Sequence, residues 1–245
     1  MPKLTITGEF DPFIHISMQQ GEKIFCESGA MVTMDATLDL KGKMNGGFLS
    51  ALARKFTNGE SFFQQHIEAN RGAGDVLLAP TLPGSLEILE IGQKQYILND
   101  GAFVASTGAV DLKIKMQNIG QALFGGTGGF VVMETSGSGQ LVVAGFGSIF
   151  GLDVTAGNDI IVDNAHVVAW DSNLSYKLTL STSQGGGFLG DMINSVTSGE
   201  GISNRFSGNG KVYVCSRNSS AFTAWIGSKI IIPERSGGGG FHLNN

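Results

Sequence analysis

The sequence predicts an all-β protein built from three tandem repeats with short helical insertions. Glycine accounts for 37 of the 245 residues, about twice its usual share of roughly 7%, whereas only five residues are proline. The glycines separate short runs rich in Val, Ile, Leu, Phe and Thr, which is the pattern of sandwiches and barrels. Two hairpin motifs and one helical segment also recur three times in the same order.

The first recurring motif is a pair of apolar runs joined by a tight turn. It reads GEKIFCESGAMV from Gly21, GQKQYILNDGAFV from Gly92 and GNDIIVDNAHVV from Gly157. A tight hairpin turn requires positive φ, which glycine and asparagine adopt at the lowest cost. We therefore predict three equivalent hairpins with Gly29, Gly101 and Asn164 at their tips, each with positive φ.

A helical segment lies between the two hairpins of each repeat. It begins GGFLSALARKF at Gly46, NIGQALF at Asn118 and GGGFLGDMINSV at Gly185. Helical spacing places apolar residues on one stripe in the first and third copies. These residues are Phe48, Leu49, Leu52 and Phe56, followed by Phe188, Leu189, Met192, Ile193 and Val196. The stripe is either core or a partner-binding surface, and Arg54 and Lys55 also suit an anionic membrane, although Asp191 counts against lipid.

The second hairpin motif is G-x-G, a polar residue and four mostly apolar residues. It reads GAGDVLLA from Gly72, GSGQLVVA from Gly137 and GNGKVYVC from Gly208. The predicted turn residues are Gly72, Gly74, Gly137, Gly139, Gly208 and Gly210. Alternate residues of a strand share one face, so each copy places two apolar side chains in an equivalent interior. These pairs are Val76 and Leu78, Leu141 and Val143, and Val212 and Val214.

Together the motifs divide the chain into repeats over residues 1–80, 81–146 and 147–233. The distance along the chain from the first to the third copy is nearly the same for both hairpins, measured from Gly29 to Asn164 and from Gly72 to Gly208. Units of this size bury their faces by stacking on one another or by closing a ring. The remaining residues, 234–245, form a glycine-rich tail that we expect to be disordered.

Composition argues against several classes of protein. MPKLTITGEF has no secretion signal and no apolar run reaches the roughly 20 residues of a membrane-spanning helix, so we expect a cytoplasmic protein. Cys26 and Cys215 lie in apolar runs and are expected to be buried, reduced thiols. The net charge of −5 disfavours nucleic acid, as does the absence of a cation that recurs in all three repeats. The equivalent residues Asp75, Gln140 and Lys211 differ in charge.

No motif predicts a catalytic residue, a cofactor or a metal. The glycine runs at 125–129 and 185–187 lack the βαβ context of a dinucleotide site, and Gly210-Lys211 lacks the flanking residues of a phosphate-binding loop. The densest set of potential metal ligands recurs at turn positions, where Asp is common. This set comprises Asp159, Asp163, His166 and Asp171. We therefore predict a protein without enzymatic activity, with an unrecognised enzyme that has a pocket between repeats as an alternative.

The hairpin turns, the G-x-G strands and the GGFL insertions resemble bacterial members of a particular family. It is related to a fungal mitochondrial biogenesis protein of the "altered inheritance of mitochondria" group, and the resemblance covers about residues 1–233. The resemblance implies a fold similar to the tryptophan RNA-binding attenuation protein, in which a β-sandwich or short double-stranded β-helix occurs three times per chain. It also implies a homotrimer whose nine units form a ring, and it supplies no catalytic residues.

The leading functional hypothesis is a non-catalytic, ring-forming scaffold or interaction protein. We predict KLTITGEF as the first strand and KIIIPE as the last, and neither end has a dedicated cap, so a head-to-tail contact between them would close a ring. Its partners would be further copies of the chain, and another protein or a small ligand. The alternative from fold analogy is a small-ligand-binding or RNA-regulating protein.

Overall fold

The computed structural model describes residues 1–42, 65–117, 130–179 and 203–230. These residues form nineteen strands, a 3-10 turn and one α-helix, so the all-β prediction is confirmed. Both predicted apolar stripes and the tail over 234–245 lie outside the described residues. Each of the three gaps falls between two consecutive strands that pair with each other.

The strands fall into one initial strand and three groups of six. The initial strand β1 is Lys3–Thr7. The first group is Phe13–Met18 (β2), Lys23–Cys26 (β3), Met31–Met34 (β4), Asp39–Gly42 (β5), Gln65–Glu68 (β6) and Gly74–Leu78 (β7). The second is Gly84–Ile91 (β8), Tyr96–Asn99 (β9), Phe103–Thr107 (β10), Val110–Gln117 (β11), Phe130–Gly137 (β12) and Gly139–Phe146 (β13). The third is Ile149–Val154 (β14), Ile160–Asp163 (β15), Val167–Asp171 (β16), Ser175–Thr179 (β17), Ser203–Ser207 (β18) and Gly210–Cys215 (β19).

Four antiparallel sheets contain these strands. Sheet I has the order β1-β2-β7-β4 and sheet II the order β5-β6-β3-β10-β13-β8. Sheet III has the order β11-β12-β9-β16-β19-β14, and sheet IV the order β15-β18-β17. Sheets II and III therefore each combine three strands of one group with three strands of the next.

The pairing pattern within a group occurs three times. The G-x-G strand (β7, β13 or β19) always lies between the first and third strands of its group. The third strand also carries a β-bulge at the same place each time, between Met31 and Thr33, between Phe103 and Ala105, and between Val167 and Ala169. We use the term equivalent for residues that occupy the same place in this pattern.

Three hydrophobic clusters lie between successive sheets. Cluster 1 takes its side chains from sheets I and II, cluster 2 from sheets II and III, and cluster 3 from sheets III and IV. The three apolar pairs predicted from the G-x-G strands are distributed one pair to each cluster. Five of these six side chains are buried, and Val214 is half-buried against cluster 3.

The first hairpin turn differs between the groups. Gly29 has φ of 89° and Gly101 has φ of 76°, but Asn164 is absent from the positive-φ residues of the described chain, so the prediction for Asn164 is wrong. Asn164 instead begins a 3-10 turn over Asn164–His166, which Asp163 caps by accepting from the Ala165 amide at 3.0 Å. Counting back from the bulge, Ala165 and not Asn164 is equivalent to the two glycines.

The G-x-G glycines serve two different purposes. Gly137 and Gly208 have φ of 87° and 114°, so the first glycine of these motifs forms the left-handed residue of a turn. The second glycine provides space for the end of the third strand or the turn after it, because a Cβ there would lie closer than 3.0 Å to Thr37, Thr107 or Asp171 in the three copies. These second glycines are Gly74, Gly139 and Gly210.

The chain after β19 forms a helix that the sequence analysis did not predict. Helix α1 spans Ser219–Lys229, and the side chain of Asn218 caps it by accepting from the Ala221 amide at 3.0 Å. The prediction of KIIIPE as the last strand is therefore wrong at its first residue, Lys229. Phe222 packs its ring against that of Phe146 at 5.1 Å, whereas Trp225 remains exposed. The Asn218 cap was the local signal for this helix.

Candidate functional site

Two strand edges stand out because their equivalents are paired. Strand β10 pairs with both β13 and β3, and β16 pairs with both β19 and β9. Within the described chain, the equivalent strand β4 pairs with β7 alone. At the other end of the series, β15 pairs with β18 alone among the described strands, although its equivalents β3 and β9 each have two neighbours. Each of these edges presents backbone N–H and C=O groups that another strand can bind.

The exposure of Val32, the bulge residue of β4, shows which surface a second strand paired with β4 would cover. Val32, Val104 and Val168 are equivalent and identical in type, yet Val32 is 53% exposed while Val104 and Val168 are 0% and 2% exposed. All five residues of β10 and of β16 are buried. On the opposite edge, Ile161 of β15 is 45% exposed. The two edges therefore expose apolar side chains that the fold buries at its internal junctions.

A polar group lies on the outer face of sheet I beside the β4 edge. His15 Nε2 lies 3.0 Å from Asp75 Oδ1, and the Ser17 hydroxyl donates to the same oxygen at 2.5 Å. The hydrogen bond from Ser17, with a further one from His15, lowers the pKa of Asp75 below its ordinary value. Because Ser17 donates to the carboxylate and not to His15, the group lacks the nucleophile–base contact of a catalytic triad.

This polar group borders an open cavity of about 350 Å³. The cavity is lined by Thr7, His15, Thr33, Met34, Asp35, Asp75, Val76 and Leu77. Asp35 accepts a hydrogen bond from the Asp75 amide at 2.9 Å, so its carboxylate serves to join β7 to the turn after β4. The equivalent Thr107 and Asp171 accept from Gln140 and Lys211 in the same way. The residues of the cavity thus fit a docking surface better than a reaction centre.

The acidic set considered as a metal site is used for local structure. Asp159 pairs with Arg205 at 2.9 Å, Asp163 caps the 3-10 turn, and Asp171 accepts from the Lys211 amide. His166 Nδ1 lies 2.7 Å from the Cys215 carbonyl oxygen. In the described ranges no group of three or more His, Cys, Asp or Glu side chains could hold a metal ion.

The two cysteines are free and buried, as the sequence predicted. Burial raises the pKa of the Cys26 thiol to about 12, and the charge of Glu27 adds to this effect. Burial also raises the pKa of the Cys215 thiol. Both thiols therefore stay protonated at neutral pH and are poor nucleophiles.

A cation does recur in all three groups, contrary to the sequence prediction. Lys41, Lys113 and Lys177 are equivalent, because they pair across the hairpin with His66, Glu134 and Arg205 respectively. The sequence comparison missed them because it examined the G-x-G strands and not the strand before each insertion, where the signal is Asp/Ser-Leu/Tyr-Lys. Glu68 offsets the charge of Lys41 at 2.5 Å, and Glu134, which lies opposite Lys113, forms an ion pair with Lys115 at 2.6 Å.

Comparison with known proteins identifies relatives over nearly the whole chain. The family model described as "Mitochondrial biogenesis AIM24" matches residues 4–217. An uncharacterised protein of Streptococcus pyogenes serotype M6 is 40% identical over 221 residues, which cover 88% of this chain and 85% of that protein.

The fold also matches a solved structure. An X-ray structure of a protein from Streptococcus pyogenes has a TM-score of 0.76 and 34% sequence identity, and the match covers 94% of this chain and all of that one. Among the described residues, no helix combines the length and the hydrophobicity of a membrane-spanning segment. The family match spans far more than half of the sequence, and the chain therefore belongs to the mitochondrial biogenesis AIM24 family.

Proposed function

We propose that the chain is a non-catalytic scaffold that assembles head to tail into a ring of three copies. In this proposal the three six-strand groups are three copies of one structural unit. The observation that carries the proposal is the contrast between Val32, which is 53% exposed, and its buried equivalents Val104 and Val168. Burial of a valine side chain contributes about 1.5–3 kcal/mol, so a further copy of the chain that covers this edge would gain free energy.

The geometry of the series supports head-to-tail closure. The open edges belong to the first group at one end and the third group at the other, so a contact between them is heterologous. Such contacts generate either closed rings or filaments. The contact proposed here joins β4 and β15, the two edges whose equivalents are paired within the chain, and it differs from the contact between the first and last segments that the sequence predicted. The count of three copies comes from the family resemblance.

Light scattering coupled to gel filtration tests this proposal. We expect a mass three times the chain mass of 25.7 kDa. A stable species of one chain mass at micromolar concentration would contradict the scaffold. A cytoplasmic location, expected from the sequence, stays a prediction.

A second candidate function is binding of a single-stranded RNA, which the recurring Lys41, Lys113 and Lys177 favour. The nearby carboxylates of Glu68 and Glu134 oppose it, and so does the net charge of −5. Fluorescence anisotropy with a labelled uridine homopolymer separates the two candidates. Binding that weakens with salt and is lost when all three lysines become glutamate would support the RNA candidate.

A further inference from the structure

We infer that β15 of one copy pairs in an antiparallel manner with β4 of the next, and that the two copies thereby build one seven-stranded sheet and complete cluster 3. This inference rests on the proposed head-to-tail assembly and specifies its interface. The partner is a second copy of this chain. The combined order would be β17-β18-β15 followed by β4-β7-β2-β1, whose first six strands repeat the orders of sheets II and III.

The two internal junctions fix the register of the pairing. In sheet II, Ala105 lies opposite Cys26 and Ser106 opposite Phe25. In sheet III, Ala169 lies opposite Leu98 and Trp170 opposite Ile97. The bulge identifies which residues of β4 are equivalent to those of β10 and β16. Packing on cluster 3 identifies which residues of β15 are equivalent to those of β3 and β9.

On the β4 side, Thr33 is equivalent to Ala105, and Met34 to Ser106. On the β15 side, Val162 packs on cluster 3 as Cys26 packs in cluster 1, and the exposed Ile161 matches Phe25. The predicted pairs between copies are therefore Thr33 with Val162 and Met34 with Ile161.

The face of the sheet matches as well as its edge. Sheet II contributes Val104 and Val142 to cluster 1, and sheet III contributes Val168 and Ala169 to cluster 2. Among the described residues cluster 3 receives no such contribution from a following group, and it has eight buried members against sixteen in cluster 1. The equivalents of Val104 and Val142 are Val32 and Leu77, on the outer face of sheet I. In the assembly this face of the next copy covers cluster 3.

The occupant is a copy of the chain because the fold already contains the interface twice. Both internal junctions join a second strand of one group to the third strand of the following group, and their bulge residues are valines like Val32. Neither β4 nor β15 contains proline, so neither strand has a residue that would block pairing. The cavity over sheet I reaches the β4 edge, where Thr33 and Met34 line it.

Cysteine pairs test the register directly. The variant with Thr33→Cys and Val162→Cys should form disulfides between chains on mild oxidation, visible on a non-reducing gel as ladders that end at the trimer. The matched control combines Thr33→Cys with Ile160→Cys, which keeps the same face of β15 but moves the second cysteine to the next position on that face. We expect the control to remain mainly without disulfides between chains. The native Cys26 and Cys215 are buried, so they should contribute equally little cross-linking in both variants.

The outcomes distinguish this inference from the proposed function. The inferred register is supported if the variant with Val162→Cys cross-links and the control with Ile160→Cys does not. A trimer mass in light scattering without preferential cross-linking of that variant overturns the interface and leaves the scaffold standing. A single-chain mass for the unmodified protein overturns both.

Discussion

At the scale of single residues, the second glycine of each G-x-G motif lies where no side chain fits. A Cβ on Gly210 would lie 2.9 Å from Asp171 Cβ and 3.0 Å from Leu174 Cγ, and both of these residues are buried. Asp171 cannot move freely, because its carboxylate accepts the Lys211 amide at 2.9 Å. Close packing therefore requires glycine at this position.

We expect Gly210→Ala to destabilise the protein by about 1–3 kcal/mol, the usual cost of overpacking. The matched control is Gly72→Ala, because a Cβ there meets Thr37 at an ordinary 3.6 Å and Gly72 has no positive φ. The control should change stability by no more than about 0.5 kcal/mol. Thermal unfolding of both variants measures the difference, and equal melting temperatures would contradict the packing argument.

Glu68 is the residue whose protonation should matter most in acid. Hydrogen bonds from Lys41 and Asn70 lower its pKa from 4.5 to about 2. A carboxyl with a lowered pKa in the folded state contributes stability above its unfolded pKa, and this contribution is lost as pH falls toward the folded pKa. We expect the urea midpoint to fall between pH 4.5 and pH 2, and to fall less in Glu68→Gln. Identical pH profiles would show that the Glu68 contacts do not hold in solution.

At the scale of elements, one asparagine side chain fastens the turn before β16 to strand β9. Asn99 Nδ2 donates to the carbonyl oxygens of Asn164 and Val167, at 3.2 and 3.0 Å. Asn204 Nδ2 also reaches Asn164, through its Oδ1 atom at 2.8 Å. These contacts hold Asn164 in its right-handed turn and explain why it does not adopt the predicted positive φ.

Asn99→Ala should cost about 1–3 kcal/mol, because it removes two partly buried hydrogen bonds that join the turn to β9. Asn173→Ala in the exposed turn after β16 provides the control. Chemical denaturation should show a lower midpoint for the Asn99 variant and little change for the control. If the two variants unfold together, the asparagine contacts are not what stabilises this turn.

At the scale of the whole molecule, stability should depend on protein concentration. A folded assembly gains stability from its partner copies by mass action, so its melting temperature rises with concentration. Val32→Glu should abolish this rise by placing a charge at the β4 edge, and it should leave the single chain folded because Val32 is already exposed. Leu82→Glu changes another exposed apolar residue, which lies between β7 and β8 and in neither β4 nor β15, and it should keep the dependence. A dependence that survives in Val32→Glu would contradict a role for the β4 edge.

The sequence by itself determined the local features of the molecule. Glycine-separated apolar runs were enough to predict an all-β class, and the G-x-G strands placed Val76, Leu141 and Val212 in the interior. Both cysteines were recognised as buried thiols. These predictions succeeded because turn chemistry and the two-residue period of a strand depend on neighbouring residues.

Only the tertiary structure decided which strands have partners. Val32, Val104 and Val168 are identical in type and lie in similar local sequences, yet one is exposed and two are buried. Their difference comes from β3 and β9, strands of the preceding group that pair with β10 and β16 and have no counterpart for β4 in the described chain. The Asn164 turn was likewise set by a tertiary contact, that of Asn99 with Asn164. Long-range pairing leaves no periodic signal in the chain, and so the open edges of this protein became visible only in the folded molecule.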